Sequence, residues 1–239
     1  MSQNYNPIAF SGFHDMKFKN RDGFMYIHTW QFIKSIEKII DLQSVNTIFD
    51  IGSRDGCQSL EFAHWFPNAK VFCFEPVPEN ILWCKRNAEL CNRITVVEKA
   101  VSDIDGFVDF HVVNNGNVGA SSLYTANPHH GYGATLNQIK ISVESIRAES
   151  FLSQNNVDVP QLLWMDVQGA ELSVLNSFGQ SLQKVKAIHT EVGLDLIYKS
   201  STLKQDLINF MDKMGFYVYT SISNSLGIEE DVIFVNSRQ

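Results

Sequence analysis

The chain has 239 residues, of which 44% are hydrophobic and 19% charged, with a formal net charge of −7. That length and apolar fraction fit one sizeable α/β domain, or at most two small ones, and exclude a disordered chain. With 19 basic residues against 26 acidic ones and no basic run, the charge pattern argues against nucleic acid as a partner.

Residues 1–29 read as a polar, aromatic N-terminal extension, with a turn expected at Asp22-Gly23. They lack a basic segment followed by an apolar one, so no signal peptide is expected. No apolar run reaches the roughly 18 residues of a membrane span. The cysteines are Cys57, Cys73, Cys84 and Cys91, and no CxxC pair occurs. Free thiols in a reducing cytosol are therefore expected, and a cytoplasmic location with them.

From residue 30 onward one domain is the economical reading. "TWQFIKSIEKIIDL" carries Trp30, Ile33, Ile36, Ile39 and Ile40 at helical spacing, with Thr29 as N-cap. "TIFDIG" reads as a buried strand, and "CQSLEFAHWF" as an amphipathic helix stopped before Pro67. "KVFCFEP" is too continuously apolar to face water on one side. Pro78 suits the first turn of the helix "PENILWCKRNAELC". "ITVVEKAVS" is a third strand. Short connections make these strands parallel with right-handed crossovers. "GFVDFHVV" then alternates like a hairpin strand. Residues 114–138, rich in Asn, Gly, Ser and His, read as a mobile loop over an acceptor. The α/β rhythm resumes with "QLLWMDV", the helix "AELSVLNSF" and the strand "KAIHTEV". The helix "STLKQDLINFMDKM" follows, and "FYVYTSI" and "DVIFV" make an antiparallel hairpin. The fold class is α/β, with a mostly parallel, doubly wound sheet and an antiparallel C-terminal strand.

In such a sheet, ligands bind beyond the carboxyl ends of the strands. The first strand ends in "DIGSRDG", where Gly52 allows a sharp turn and close approach of a ligand to the backbone. A dinucleotide fingerprint would need a second glycine where Arg54 stands, and no phosphate-cradling G-x-x-x-x-G-K-[ST] occurs. S-adenosylmethionine carries a cationic tail in place of a pyrophosphate, and Asp50 at the strand end suits its ammonium. Glu75 ends the second strand 23 residues after Gly52, where a carboxylate captures a ribose diol.

With these residues in view, the chain resembles the class I S-adenosylmethionine-dependent methyltransferases of the FkbM type. The resemblance covers roughly residues 30–236 and rests on "FDIGSRDG", "CFEPVPEN", "VEKAVSDIDG", "LLWMDVQGAELSVLNSFG" and "IHTEV". It implies a Rossmann-like sheet of seven strands, and O-methylation of a hydroxyl on a sugar, glycan or secondary metabolite. It also implies that Ala100 and Val101 lie beside the adenine. The cofactor set is then Asp50, Gly52, Ser53, Glu75, Pro76, Ala100, Val101 and Asp166. The family's usual Asp-Val-Glu-Gly-x-Glu reads "DVQGAE" here, with Gln168 in place of the first glutamate.

Methyl transfer to an alcohol needs in-line placement and removal of a proton, by a base or a metal. Asp166 ends the fourth strand and leads to Glu171, while His189 and Glu191 share one face of the fifth strand. Asp166, His189 and Glu191 are the catalytic candidates, with Asp166 and Glu191 able to hold Mg²⁺ and His189 the base of a metal-free version. His129-His130 lack partners at ligand spacing and read as solvent-facing. The expected partner is a small-molecule or glycan acceptor. Two readings compete: an NAD-dependent oxidoreductase on a similar scaffold, and a methyltransferase-like binding module without catalysis.

Overall fold

The first strand, β1 (Thr47–Ile51), is buried at all five positions, as a central parallel strand must be. Its neighbours are β2 (Lys70–Phe74) on one side and β7 (Leu162–Met165) on the other, both parallel to it. β3 (Ile94–Val97) continues the sheet beyond β2, and β8 (Ala187–Gly193) continues it beyond β7, again in parallel. The chain closes with β9 (Phe216–Ser223) and β10 (Glu229–Asn236), and β10 inserts antiparallel between β8 and β9. The order is β3-β2-β1-β7-β8-β10-β9. In this computed structural model the described residues are 29–114, 116–223 and 227–238. The expected turn at Asp22-Gly23 and most of the expected N-terminal extension lie outside them.

Period-two alternation sends consecutive strand residues to opposite layers. Ile48, Val71, Cys73, Leu162, Trp164 and Ile233 face α1 (Trp30–Ile36), α2 (Cys57–Trp65) and α3 (Pro78–Ala88). Phe49, Phe72, Phe74, Leu163, Met165 and Phe234 face α4 (Ala148–Asn155), α5 (Glu171–Ser177) and α6 (Lys204–Lys213). In the second layer the Phe49 ring lies 5.0 to 6.1 Å from those of Phe72, Phe74, Phe151 and Phe178. Truncating Phe49 would open a cavity at a cost of about 3–5 kcal/mol.

The structure departs from the sequence reading in four places. The expected third strand splits: β3 stays in the main sheet, while β4 (Ala100–Val101) leaves it to pair with β6 (Gln138–Ile146). β6 also pairs antiparallel with β5 (Gly106–Val113), so the hairpin strand found its partner in a segment that the pattern left unassigned. α4 was unassigned as well. Thr29 does not cap α1; its amide and hydroxyl both donate to Glu61, tying α1 to α2. No described helix is long and apolar enough to cross a membrane.

Candidate active site

The turn after β1 is held from below. Asp50 is fully buried, and its Oδ2 accepts from the hydroxyls of Ser53 and Ser59, each at 2.6 Å. Burial pushes the carboxyl up to about 6. The amides of Gly52 and Ser53 both donate to the Phe74 carbonyl. Gly52 has φ +81°, and a Cβ there would lie 2.0 Å from the Asp166 carbonyl oxygen. The ends of β1 and β7 therefore touch at a point where only glycine fits. Asp50 and Ser53 are buried and line neither of the two cavities described below.

Above the turn is a cleft of about 540 Å³. Of the eight cofactor candidates, Gly52, Glu75, Pro76, Ala100, Val101 and Asp166 line it. Glu75, at its floor, is 4% exposed. Its Oε2 accepts from the Arg54 amide at 2.9 Å; its Oε1 accepts from the Val77 amide at 2.8 Å and from Asn80 Nδ2 at 3.3 Å. Burial outweighs these donors and holds the carboxyl near 7. The wall is apolar, from Val77, Val101, Phe110 and Leu123.

A second, more polar cavity of about 730 Å³ adjoins it and shares Asp166. His189 and Glu191 line it from β8, with Trp164 from β7 and Asp231 from β10. Trp164 pairs with His189 across the sheet, and Glu191 with Asp231. The His189 ring lies flat on Trp164, centroids 3.6 Å apart, and its Nε2 is 3.1 Å from Asp231 Oδ1. Its Nδ1 is buried without a partner.

Asp166 and Glu191 are bridged by one amide. Gln168 Nε2 donates to Asp166 Oδ1 at 2.7 Å and to Glu191 Oε2 at 2.8 Å. Burial raises both carboxyls above the ordinary range; after burial, the charge of Asp231 adds to the rise of Asp166, and the charge of Asp166 to that of Glu191. Among the described residues no group of three or more His, Cys, Asp or Glu is arranged to hold a metal. The expected Mg²⁺ site is not supported: Mg²⁺ demands oxygen ligands, and the position between the two carboxyls is taken by a hydrogen-bond donor. Glu171 is buried in the same turn, accepts from the Gly169 amide, and is pushed up to about 8 by burial.

The segment after β5 is tied down along its described length. It carries two short 3-10 turns, Val118–Ala120 and Gly133–Thr135. Backbone bonds join Asn127 to Ile197 and Lys199 to Thr125. Ser122 Oγ donates to the Gln168 carbonyl, and Val118, Gly119, Ser121 and Leu123 close one side of the first cleft. His129 is exposed, while His130 Nδ1 accepts from the Gly133 amide.

Three participants escaped the sequence reading: Asp231, the bridging role of Gln168, and Tyr198, whose buried hydroxyl lies 2.8 Å from Gln168 Oε1. A signal for Asp231 existed. An antiparallel last strand begins at the sheet end where the parallel strands finish, so an acid near its start faces the site.

A family model described as the methyltransferase FkbM domain matches residues 50–218. The chain is similar to the 2-O-methyltransferase NoeI of Sinorhizobium fredii (strain NBRC 101917 / NGR234). The two are 29% identical over 197 residues, which is 80% of this chain and 79% of that one. Among solved structures it is similar to magnesium protoporphyrin IX methyltransferase (ChlM) from Synechocystis PCC 6803 with bound SAM. That match has a TM-score of 0.50 and 10% identity, over 87% of this chain and 78% of that one. A chain of the fibrillarin/Nop5p complex gives a TM-score of 0.51 and 11% identity, over 90% and 86%. At these identities the two structures speak for the fold alone.

Proposed function

This chain belongs to the FkbM methyltransferase family, and we propose that it methylates a hydroxyl of a sugar or other polyhydroxylated acceptor, with S-adenosylmethionine as the donor. The observation that carries this reading is that Asp166 lines both adjoining cavities, one apolar with a buried carboxyl at its floor, the other polar.

The first cleft fits the donor by its chemistry. The Glu75 carboxyl would accept from the ribose hydroxyls, and Ala100, Val101 and Val77 would flank the adenine. When bound, S-adenosylmethionine supplies an electrophilic methyl group on a cationic sulfur. Gly52, without a side chain, lets the Asp166 backbone close up against the end of β1.

The second cavity suits a hydroxyl-rich acceptor. Asp231 and Glu191 offer acceptors for O–H groups, and the stacked Trp164 and His189 form one flat wall. Asp166 has Oδ1 engaged by Gln168, which leaves Oδ2 to take the proton from the acceptor hydroxyl. Burial that raises Asp166 makes its carboxylate a stronger base than a solvated one. His189, stacked on Trp164 with its Nε2 beside Asp231, shapes the acceptor wall. The hydroxyl specificity of the 2-O-methyltransferase NoeI agrees with this assignment.

The test is transfer from labelled S-adenosylmethionine to a panel of sugars, polyols, phenols and amines. Asp166→Asn should lower transfer by about 10²–10⁴-fold, the usual contribution of a positioned base. Transfer confined to amines, or undiminished in Asp166→Asn, would overturn the reading.

A further inference from the structure

Two carboxyls at adjacent strand ends repel each other unless a proton, a cation or a hydrogen-bond donor lies between them. Here the donor is Gln168, and its delivery is built from several sides. One amide nitrogen, with two hydrogens, serves Asp166 and Glu191 at 2.7 and 2.8 Å. The other end of the amide faces the Tyr198 hydroxyl at 2.8 Å, a side chain only 1% exposed. That hydroxyl is also 2.8 Å from the Ala120 carbonyl, so it is anchored in the segment after β5. The Gln168 backbone has φ +53°, a conformation few non-glycine residues adopt, and its carbonyl receives the Ser122 hydroxyl at 2.7 Å. Gly169 follows with φ +96°, where a Cβ would lie 2.7 Å from Ser201 Cβ.

We propose that Gln168 stands in for a divalent cation: its carboxamide holds Asp166 and Glu191 in one geometry without a metal and makes the acceptor site independent of added Mg²⁺ or Mn²⁺. Gln168 is thus a positioning residue, acting on the acceptor through Asp166. A carboxylate of the same length would complete a set of three acidic side chains with oxygen atoms converging on one point, the donor chemistry a hard cation takes. A single amide in place of a carboxylate then decides between a metal-free and a metal-using site.

The inference rests on the reading of Asp166 as the proton acceptor, but its first test does not need transfer. Mn²⁺ alone is titrated calorimetrically into the full-length wild type and into Gln168→Glu, and melting temperatures are recorded with Mn²⁺ and with chelator. The wild type should show no saturable binding and no shift. Gln168→Glu should gain a saturable Mn²⁺ site and a higher melting temperature, both lost on adding Asp166→Asn. With an acceptor in hand, Gln168→Glu should lose at least tenfold in kcat without metal and recover with Mn²⁺, while the wild type is indifferent to chelation. If Gln168→Glu does not fold, Gln168→Met keeps the bulk and removes both donors, and Mn²⁺ should raise its melting temperature and not that of the wild type. Saturable Mn²⁺ binding by the wild type that Asp166→Asn abolishes would overturn the proposal. So would full metal-free turnover in Gln168→Glu.

Discussion

Replacing Glu75 with glutamine tests the donor cleft at its floor. The carboxyl is nearly out of solvent, satisfied by Arg54, Val77 and Asn80, and held near 7 by burial. Only the ionised form offers both oxygens fully as acceptors to a ribose diol. Glutamine keeps the shape but exchanges one acceptor for a donor. Charge-assisted hydrogen bonds contribute about 1.5–3 kcal/mol, so Glu75→Gln should weaken binding roughly 10- to 100-fold. The same carboxyl predicts a pH dependence of known sign. With a free-state value of about 7, the ionised fraction rises from about one in ten at about pH 6 to about nine in ten at about pH 8. Wild-type affinity should therefore improve close to tenfold over that interval, with proton release on binding. Methylthioadenosine is the right ligand for calorimetry, because it carries the adenine and ribose but no amino acid tail to titrate. A Glu75→Gln protein with wild-type affinity and the wild-type pH slope would remove Glu75 from the site.

Two further expectations concern the fold. Asp50, Glu75 and Glu171 are pushed up to about 6, 7 and 8, so the folded chain holds protons that the unfolded chain releases near the ordinary carboxylate range. The stability they contribute is fully present below that range and is lost as pH rises through their folded values. The melting temperature should accordingly fall from about pH 5.5 to about pH 9, and a rise across that interval would contradict the assignment. Gly52→Ala places a methyl group 2.0 Å from the Asp166 carbonyl in a positive-φ conformation. Urea unfolding should show a loss of at least about 2 kcal/mol, and a variant as stable as the wild type would show that the strand ends are not in contact.

The parallel part of the fold was legible because each strand there is a short apolar run closed by a turn signal. The same logic located Asp50, Glu75 and Asp166, since all three end such runs. Chemistry beyond position was not legible. Asp50 and Glu75 both sit near strand ends, but Asp50 pairs with Cys73, inside the sheet and under serine hydroxyls, while Glu75 lies just beyond β2 and lines the cleft. Part of that seal is Ser59, in the first turn of α2, which no local pattern marks. β6 was missed because its partner β5 is separated from it by a long insertion, and "QIKISVESI" is half-exposed and weakly apolar. Trp164, buried in a strand, packs on the imidazole of His189, a pairing between two strands that no local pattern marks. Asp231 reaches the site through a strand reversal near the end of the chain, 65 positions after Asp166.

The membership of Asp166 in both cavities has a thermodynamic consequence. A carboxyl that borders two ligands cannot respond to one without altering what the other meets. A cationic donor beside it favours its ionised form, and the neutral product left after transfer does not. By reciprocity, whatever factor the donor applies to the acceptor's affinity, the acceptor applies to the donor's. With S-adenosylmethionine as the donor, exchange of sulfonium for thioether would change the charge balance that Asp166 presents to the acceptor. With Asp166 as the proposed proton acceptor, the methylated product would sit beside a carboxyl that has gained a proton and lost its neighbouring cation, a different environment from the one that bound the substrate. On that reading, discrimination between substrate and product would be carried by the donor's own change of charge, through one side chain.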